Sequence, residues 1–195
     1  MRAIISAVLA GVLGTGVIAV SDAHAATCSD KGAVTAEDSG GISVDASYCT
    51  GVQSGNDTDL IALLNAGSLF TPDYDTSGLV WTQTGKSDEP GPVSTSSSDG
   101  LSGTWSVDPE LSNQPFVISL KGGKFYQAFL FDGVSLLVGG GTFDMTKSDI
   151  EVGNGNTPQI SHLTLAAPVP LPASLPMLLA ALAGVGWLAR RGRPA

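Results

Sequence analysis

Between two apolar ends, this 195-residue sequence predicts an all-β domain, a β-sandwich or jelly roll carrying one short helix. Three observations predict it. Short runs rich in Val, Ile, Thr and aromatic residues recur along the chain, each bounded by Gly, Asp, Asn, Ser or Pro. Two of these runs, Phe116–Lys121 and Lys124–Phe131, are separated only by Gly122-Gly123, the mark of a tight hairpin whose turn needs positive φ. A helical apolar stripe occurs in one interior segment, Thr58–Ala66.

Taken in chain order, the first element is a secretory signal peptide over residues 1–25. Met1-Arg2 gives the basic start, Ala3–Val20 the apolar run, and Ala23-His24-Ala25 the small-x-small step before a cut after Ala25. A retained N-terminal membrane helix is the alternative, and the well-placed small residues argue against it. The next strand candidates are Gly41–Asp45, Leu79–Thr82, Gly103–Val107, Val134–Val138, Gly141–Met145 and Ile160–Leu165. In the hairpin, Phe116, Ile118 and Leu120 share a face. Phe125, Gln127, Phe129 and Phe131 share another, with Tyr126, Ala128 and Leu130 opposite. Both sides are apolar, which predicts a central place in the sandwich. For the helix, Asn56 or Asp57 is the expected cap, Leu60, Ile61, Leu63 and Leu64 the apolar stripe, and Gly67 the stop. Lys86–Gly100 has no apolar period and reads as a long exposed loop, and Gly139-Gly140-Gly141 as a flexible turn. Ala166-Ala167-Pro168 reads as the start of a linker.

The last element is a single transmembrane helix, Leu171–Ala189. Its 19 residues approach the ~20 needed to cross a bilayer core. Pro172 and Pro176 lie in its first turns, where proline is tolerated. Arg190, Arg191 and Arg193 follow, a basic stop that places the domain outside and the tail in the cytoplasm. The chain thus divides into a signal peptide (1–25), a β-rich extracellular domain (26–167) and a C-terminal segment (168–195).

Charge narrows the function of the middle part. Residues 26–167 hold five lysines and no arginine against seventeen acids, a net charge near −12. Such a surface repels nucleic-acid phosphates and anionic lipid, so no nucleic-acid partner is expected. Two cysteines, Cys28 and Cys49, enter an oxidising compartment after export, and a disulfide between them is the expected state. A metal site would want more His and Cys at short spacing, and a catalytic thiol a histidine partner.

Val169-Pro170-Leu171-Pro172-Ala173, followed by the apolar helix and the Arg-rich end, resembles the VPLPA variant of the PEP-CTERM sorting signal, found in exported proteins of Gram-negative bacteria, often makers of extracellular polysaccharide. The resemblance covers the last 28 residues. It implies an exosortase as partner, a membrane-embedded cysteine protease-transpeptidase that reads the short motif. It further implies anchoring in the inner membrane before processing and a cell-surface or extracellular location afterwards. Within the domain, Cys49-Thr50-Gly51, Gly55-Asn56-Asp57, Leu63-Leu64-Asn65, Ser102-Gly103-Thr104-Trp105, Ser119-Leu120-Lys121-Gly122-Gly123, Phe129-Leu130-Phe131 and Ser161-His162-Leu163 resemble an extracellular domain common in such proteins. That likeness implies a fold and carries no activity.

Sites of chemistry are sparse. His162 is the one histidine left after signal removal, and no Gly-x-Ser-x-Gly elbow surrounds a serine, so a structural histidine is expected rather than a catalytic triad. Asp57, Asp59, Asp73, Asp75 and Asp99 offer oxygen ligands for Ca²⁺, but no Asp-x-Asp-x-Asp-Gly loop with a trailing Glu appears. Capping explains Asp57 better, and turn formation Asp73 and Asp75. Trp81, Trp105 and Tyr126 are candidates for a sugar platform. Strand aromatics usually fill cores, and Trp81, beside the polar stretch, is the best placed for exposure and sugar contact. Gly139-Gly140-Gly141 lacks the Lys-Ser/Thr of a phosphate loop. No cofactor and no catalytic residue is expected. The sequence therefore predicts a non-enzymatic surface or matrix protein, with an exopolysaccharide-binding module and, more remotely, a hydrolase using acidic residues as alternatives.

Overall fold

The computed structural model describes residues 28–38, 40–111, 114–132, 138–153, 155–169 and 181. The predicted signal peptide and, Ala181 apart, the predicted membrane helix lie outside the described residues. Among the described residues no helix is long and apolar enough to cross a membrane.

The described residues form eleven strands: β1 (Val34–Asp38), β2 (Ser43–Asp45), β3 (Tyr48–Cys49), β4 (Gln53–Ser54), β5 (Trp81–Lys86), β6 (Val93–Ser97), β7 (Ser102–Leu111), β8 (Phe116–Gly122), β9 (Phe125–Phe131), β10 (Val138–Asp144) and β11 (His162–Pro168). They form two antiparallel sheets. The first runs β2-β1-β10-β7-β6 and the second β3-β9-β8-β11-β5, with β4 also on β9. The fold is all-β with one short helix, α1 (Leu60–Asn65).

The central hairpin forms from the two predicted runs, but its two-residue turn is Gly123-Lys124 rather than Gly122-Gly123. Phe116 pairs with Phe131 and the register holds to Gly122 and Phe125, with Gly123 at φ +58° in the turn. Alternation sends the two faces to two cores. Phe116, Ile118, Leu120, Phe129 and Phe131 meet Val34, Ala36, Trp105, Val107 and Phe143 of the first sheet. Phe116 and Phe131 stack with centroids 4.7 Å apart. On the other face Val117, Tyr126, Ala128 and Leu130 lie under Leu60, Leu64, Leu69, Phe70 and Trp81. The second sheet is thus covered on both sides, which is why β8 is buried along its whole length.

Four elements depart from expectation. The helical segment begins as a 3-10 turn, Asp57–Asp59, and α1 is shorter than Thr58–Ala66; Gly67 ends it at φ +69°. The stretch expected as a loop contains the end of β5 and all of β6. β6 is an edge strand, and of its side chains only Val93 is buried, so it needs no apolar period. The triple glycine is no flexible turn: it lies inside β10. Ala166-Ala167-Pro168 is no linker: it completes β11, with Ala166 and Ala167 buried.

Candidate functional site

The domain's most concentrated ionisable cluster surrounds Asp57. The 3-10 turn sets this residue over β11, where alternation puts His162 and Thr164 on one face. His162 Nε2 lies 3.1 Å from each Asp57 oxygen, the Thr164 hydroxyl donates to Oδ2 at 2.5 Å, and Lys86 Nζ lies 3.3 Å from Oδ1. The second imidazole nitrogen, Nδ1, faces Asp88 Oδ2 at 3.3 Å. Burial alone raises the Asp57 pKa. The hydrogen bonds from His162 and Thr164 and the charges of His162 and Lys86 outweigh it, and hold the carboxyl well below the usual carboxylate range.

Among the described residues no serine or threonine hydroxyl is hydrogen-bonded to His162. Thr164 is buried and its hydroxyl donates to Asp57. Ser119, paired with Thr164 in register, is fully buried, and its hydroxyl has no partner among the described residues. His162 contacts carboxylates rather than a serine, so the triad geometry is absent among the described residues. The neighbouring Lys121 is also buried and donates to the carbonyls of Gly55 (3.3 Å) and Gly123 (2.9 Å). Together these groups pin the turn before α1 to the sheet.

The other predicted residues are dispersed. Asp57 is not the helix cap: its carboxylate turns to β11, and neither Asn56 nor Asp59 supplies a side-chain cap bond. Asp75 accepts from Ser77 N–H at 2.8 Å, and Asp99 from Leu101 and Ser102 N–H at 2.8 and 3.0 Å. Both are turn formers. No group of three or more metal-ligating side chains is assembled among the described residues. Cys28 and Cys49 are joined as a disulfide. Trp81 does not reach solvent. It is 1 % exposed, its indole N–H donates to Thr76 O at 3.0 Å, and Asn65 bonds its backbone N–H and carbonyl. The segment from α1 to Phe70 folds over it, which proximity to a polar stretch could not reveal. Trp105 and Tyr126 are core residues too.

Of the sorting motif only Val169 is among the described residues. It is exposed, follows β11 directly, and donates its N–H to Val80 O at 2.8 Å. Pro170, Leu171, Pro172, Ala173, Arg190, Arg191 and Arg193 lie outside them. No family model, curated protein or solved structure matches the chain.

A further feature went unforeseen: a groove of about 480 Å³ on the outer face of the first sheet. Gly139, Gly140 and Gly141 of β10 form its floor, and Glu37 of β1 and Glu110 of β7 stand on its two sides, with Thr104 in its lining. The signal in the sequence was the glycine run, which makes a trough once flanked by strands that keep their side chains.

Proposed function

We propose that this chain is an exported, non-enzymatic protein of the cell surface or extracellular matrix, carried out by its signal peptide and delivered by its VPLPA-type C-terminal segment to an exosortase. One observation carries the reading: Val169-Pro170-Leu171-Pro172-Ala173, an apolar stretch of membrane length and Arg190-Arg191 stand in that order at the end of the sequence. Two features of the fold support it. The last strand ends at Pro168, so the sheet is finished just where the motif begins. The Cys28–Cys49 disulfide suits an oxidising compartment.

Carbohydrate binding is the second reading, and the glycine-floored groove favours it. Its contact cannot be Trp81, which is buried. A hydrolase needs paired carboxyls in a site that excludes water. Glu37 and Glu110 do flank the groove, but both are exposed, which favours binding over hydrolysis.

The decisive experiment is the intact mass of the mature protein from surface and medium fractions, with and without the host's exosortase. A mass starting at Ala26 and ending near the motif, lost when the exosortase is deleted, is the expected result. A chain still extending to Ala195 in both strains overturns the assignment.

A further inference from the structure

We infer that the groove over β10 binds a cationic glycan, a short stretch of amino-sugar polymer whose ammonium groups meet Glu37 and Glu110. The inference deepens the exported-surface reading and rests on it for where such a polymer is encountered.

The shape comes first. β10 lies between β1 and β7, so its missing side chains leave a trough walled by two strands. At about 480 Å³ it falls in the size range of small-ligand sites. Two of its glycines have a packing reason. A Cβ on Gly140 would strike the Trp105 carbonyl, and one on Gly141 would strike Thr35 O and come within 2.8 Å of the Trp105 indole nitrogen. Gly139 has none: the nearest atoms to a Cβ there are Glu110 Cγ and Oε1, both at an ordinary 3.4 Å. The fold tolerates a side chain at 139, and the groove does not.

The electrostatics select the ligand. Among the described residues the groove's ionisable lining is Glu37, Asp38 and Glu110, with no lysine or arginine. Asp38 is already engaged, its Oδ1 accepting from Gly40 and Ile42 N–H at 2.8 and 2.9 Å. Glu37 and Glu110 make no side-chain hydrogen bond or salt bridge among the described residues. A phosphorylated or uronic-acid ligand is repelled by such a lining. The strands that carry the two glutamates are two spacings apart, roughly 10 Å, and a ligand with several cationic groups along its length matches that arrangement.

The surroundings point to sugar. Thr104 lines the groove, and Thr35, Thr142, Ser94 and Ser106 continue the same face, with Thr35 and Thr142 hydroxyls 2.8 Å apart and Ser94 and Ser106 likewise. These groups both donate and accept, as ring hydroxyls require. Trp105 is the one aromatic of the described lining and is only 2 % exposed, so it offers a peptide's apolar side chains little surface.

The test is binding of a glucosamine hexamer to the full-length chain in detergent, by calorimetry at low and high salt. The fully N-acetylated hexamer and a lysine oligomer of equal charge serve as competitors. The hexamer is expected to bind, to weaken as salt rises, and to be poorly displaced by either competitor. Glu37→Gln and Glu110→Gln should each weaken it by about tenfold or more. Gly139→Leu should abolish it while leaving the melting temperature nearly unchanged. Absence of binding, equal binding of the acetylated hexamer, equal displacement by the lysine oligomer, or indifference to both glutamine variants overturns the inference. If Gly139→Leu fails to fold, the two surface glutamates still decide. This assay is independent of sorting, so its failure leaves the exosortase assignment standing, and the mature-mass measurement tests that assignment alone.

Discussion

Asp57 commits its two oxygens to His162, Thr164 and Lys86, groups brought by β11 and β5. His162 is held from both sides, with Asp57 at Nε2 and Asp88 at Nδ1. Removing the Asp57 charge strands Lys86 and His162 beside a neutral group. Asp57→Asn is expected to destabilise the domain by about 3 kcal/mol at neutral pH, as loss of one partner of a buried ion pair does; urea unfolding measures it. The pH dependence has a definite sign. The folded pKa of Asp57 lies below its unfolded value, so its contribution is present above the ordinary aspartate pKa of ~3.9 and lost as pH falls below it. The wild type should therefore lose stability on going from pH 5 to pH 2.5 more steeply than Asp57→Asn, and equal slopes would rule this clamp out as the source.

At the level of elements, β10 is the least expected piece. A run of three glycines reads as a turn because glycine weakens strands. Here two of the glycines make room for a neighbour. Trp105 on β7 passes beneath Gly141 and donates its indole N–H to Thr35 O on β1 at 2.9 Å, tying three strands together. Gly141→Ala is expected to cost at least about 2 kcal/mol through overpacking, and Gly139→Ala less than about 0.5 kcal/mol, in paired thermal melts. Equal losses would show that the tryptophan bridge does not depend on the gap. The same contrast marks what the sequence made legible. The two strands of the Phe116–Phe131 hairpin were readable, because alternation and the glycine pair both act locally; their register was not, since the turn falls on Gly123-Lys124 and Gly122 pairs with Phe125. β6 and β10 were not, because their strand state comes from neighbours distant in the chain. The Asp57 cluster and the groove were illegible for the same reason: Asp57 and His162 are 105 positions apart, and Glu37 meets Glu110 only across β10. Trp81 misled because flanking polarity says nothing about a helix folding back over it.

For the whole molecule, the two ends of the domain are secured differently, and this sets where the chain can be cut without unfolding. At the start, the disulfide ties Cys28 to Cys49 across a sequence separation of 21, and Ser29 bonds to Asp149, which Gln127 also holds at 3.0 Å. Closing a loop of that size contributes about 3 kcal/mol, so reduction should lower the denaturant midpoint accordingly. At the other end nothing covalent is needed, because β11 lies between β8 and β5. Leu163, Leu165, Ala166 and Ala167 are buried, Pro168 pairs with Trp81, and Val169 N–H bonds Val80 O. A protease acting within the motif beyond Val169 leaves the sheet whole, whereas a cut a few residues earlier removes half of a central strand and frees β5. A chain stopped after Val169 should therefore match the melting temperature of the longer chain. One stopped after Thr164 exposes the Leu165 side of one core and the Ala166 side of the other, and should fail to give a cooperative transition. Should both truncations melt alike, β11 is dispensable past its midpoint and the folded domain ends earlier than Pro168. If only the shorter one collapses, the fold is complete at Val169, and a cut beyond that residue leaves its sheets and cores intact.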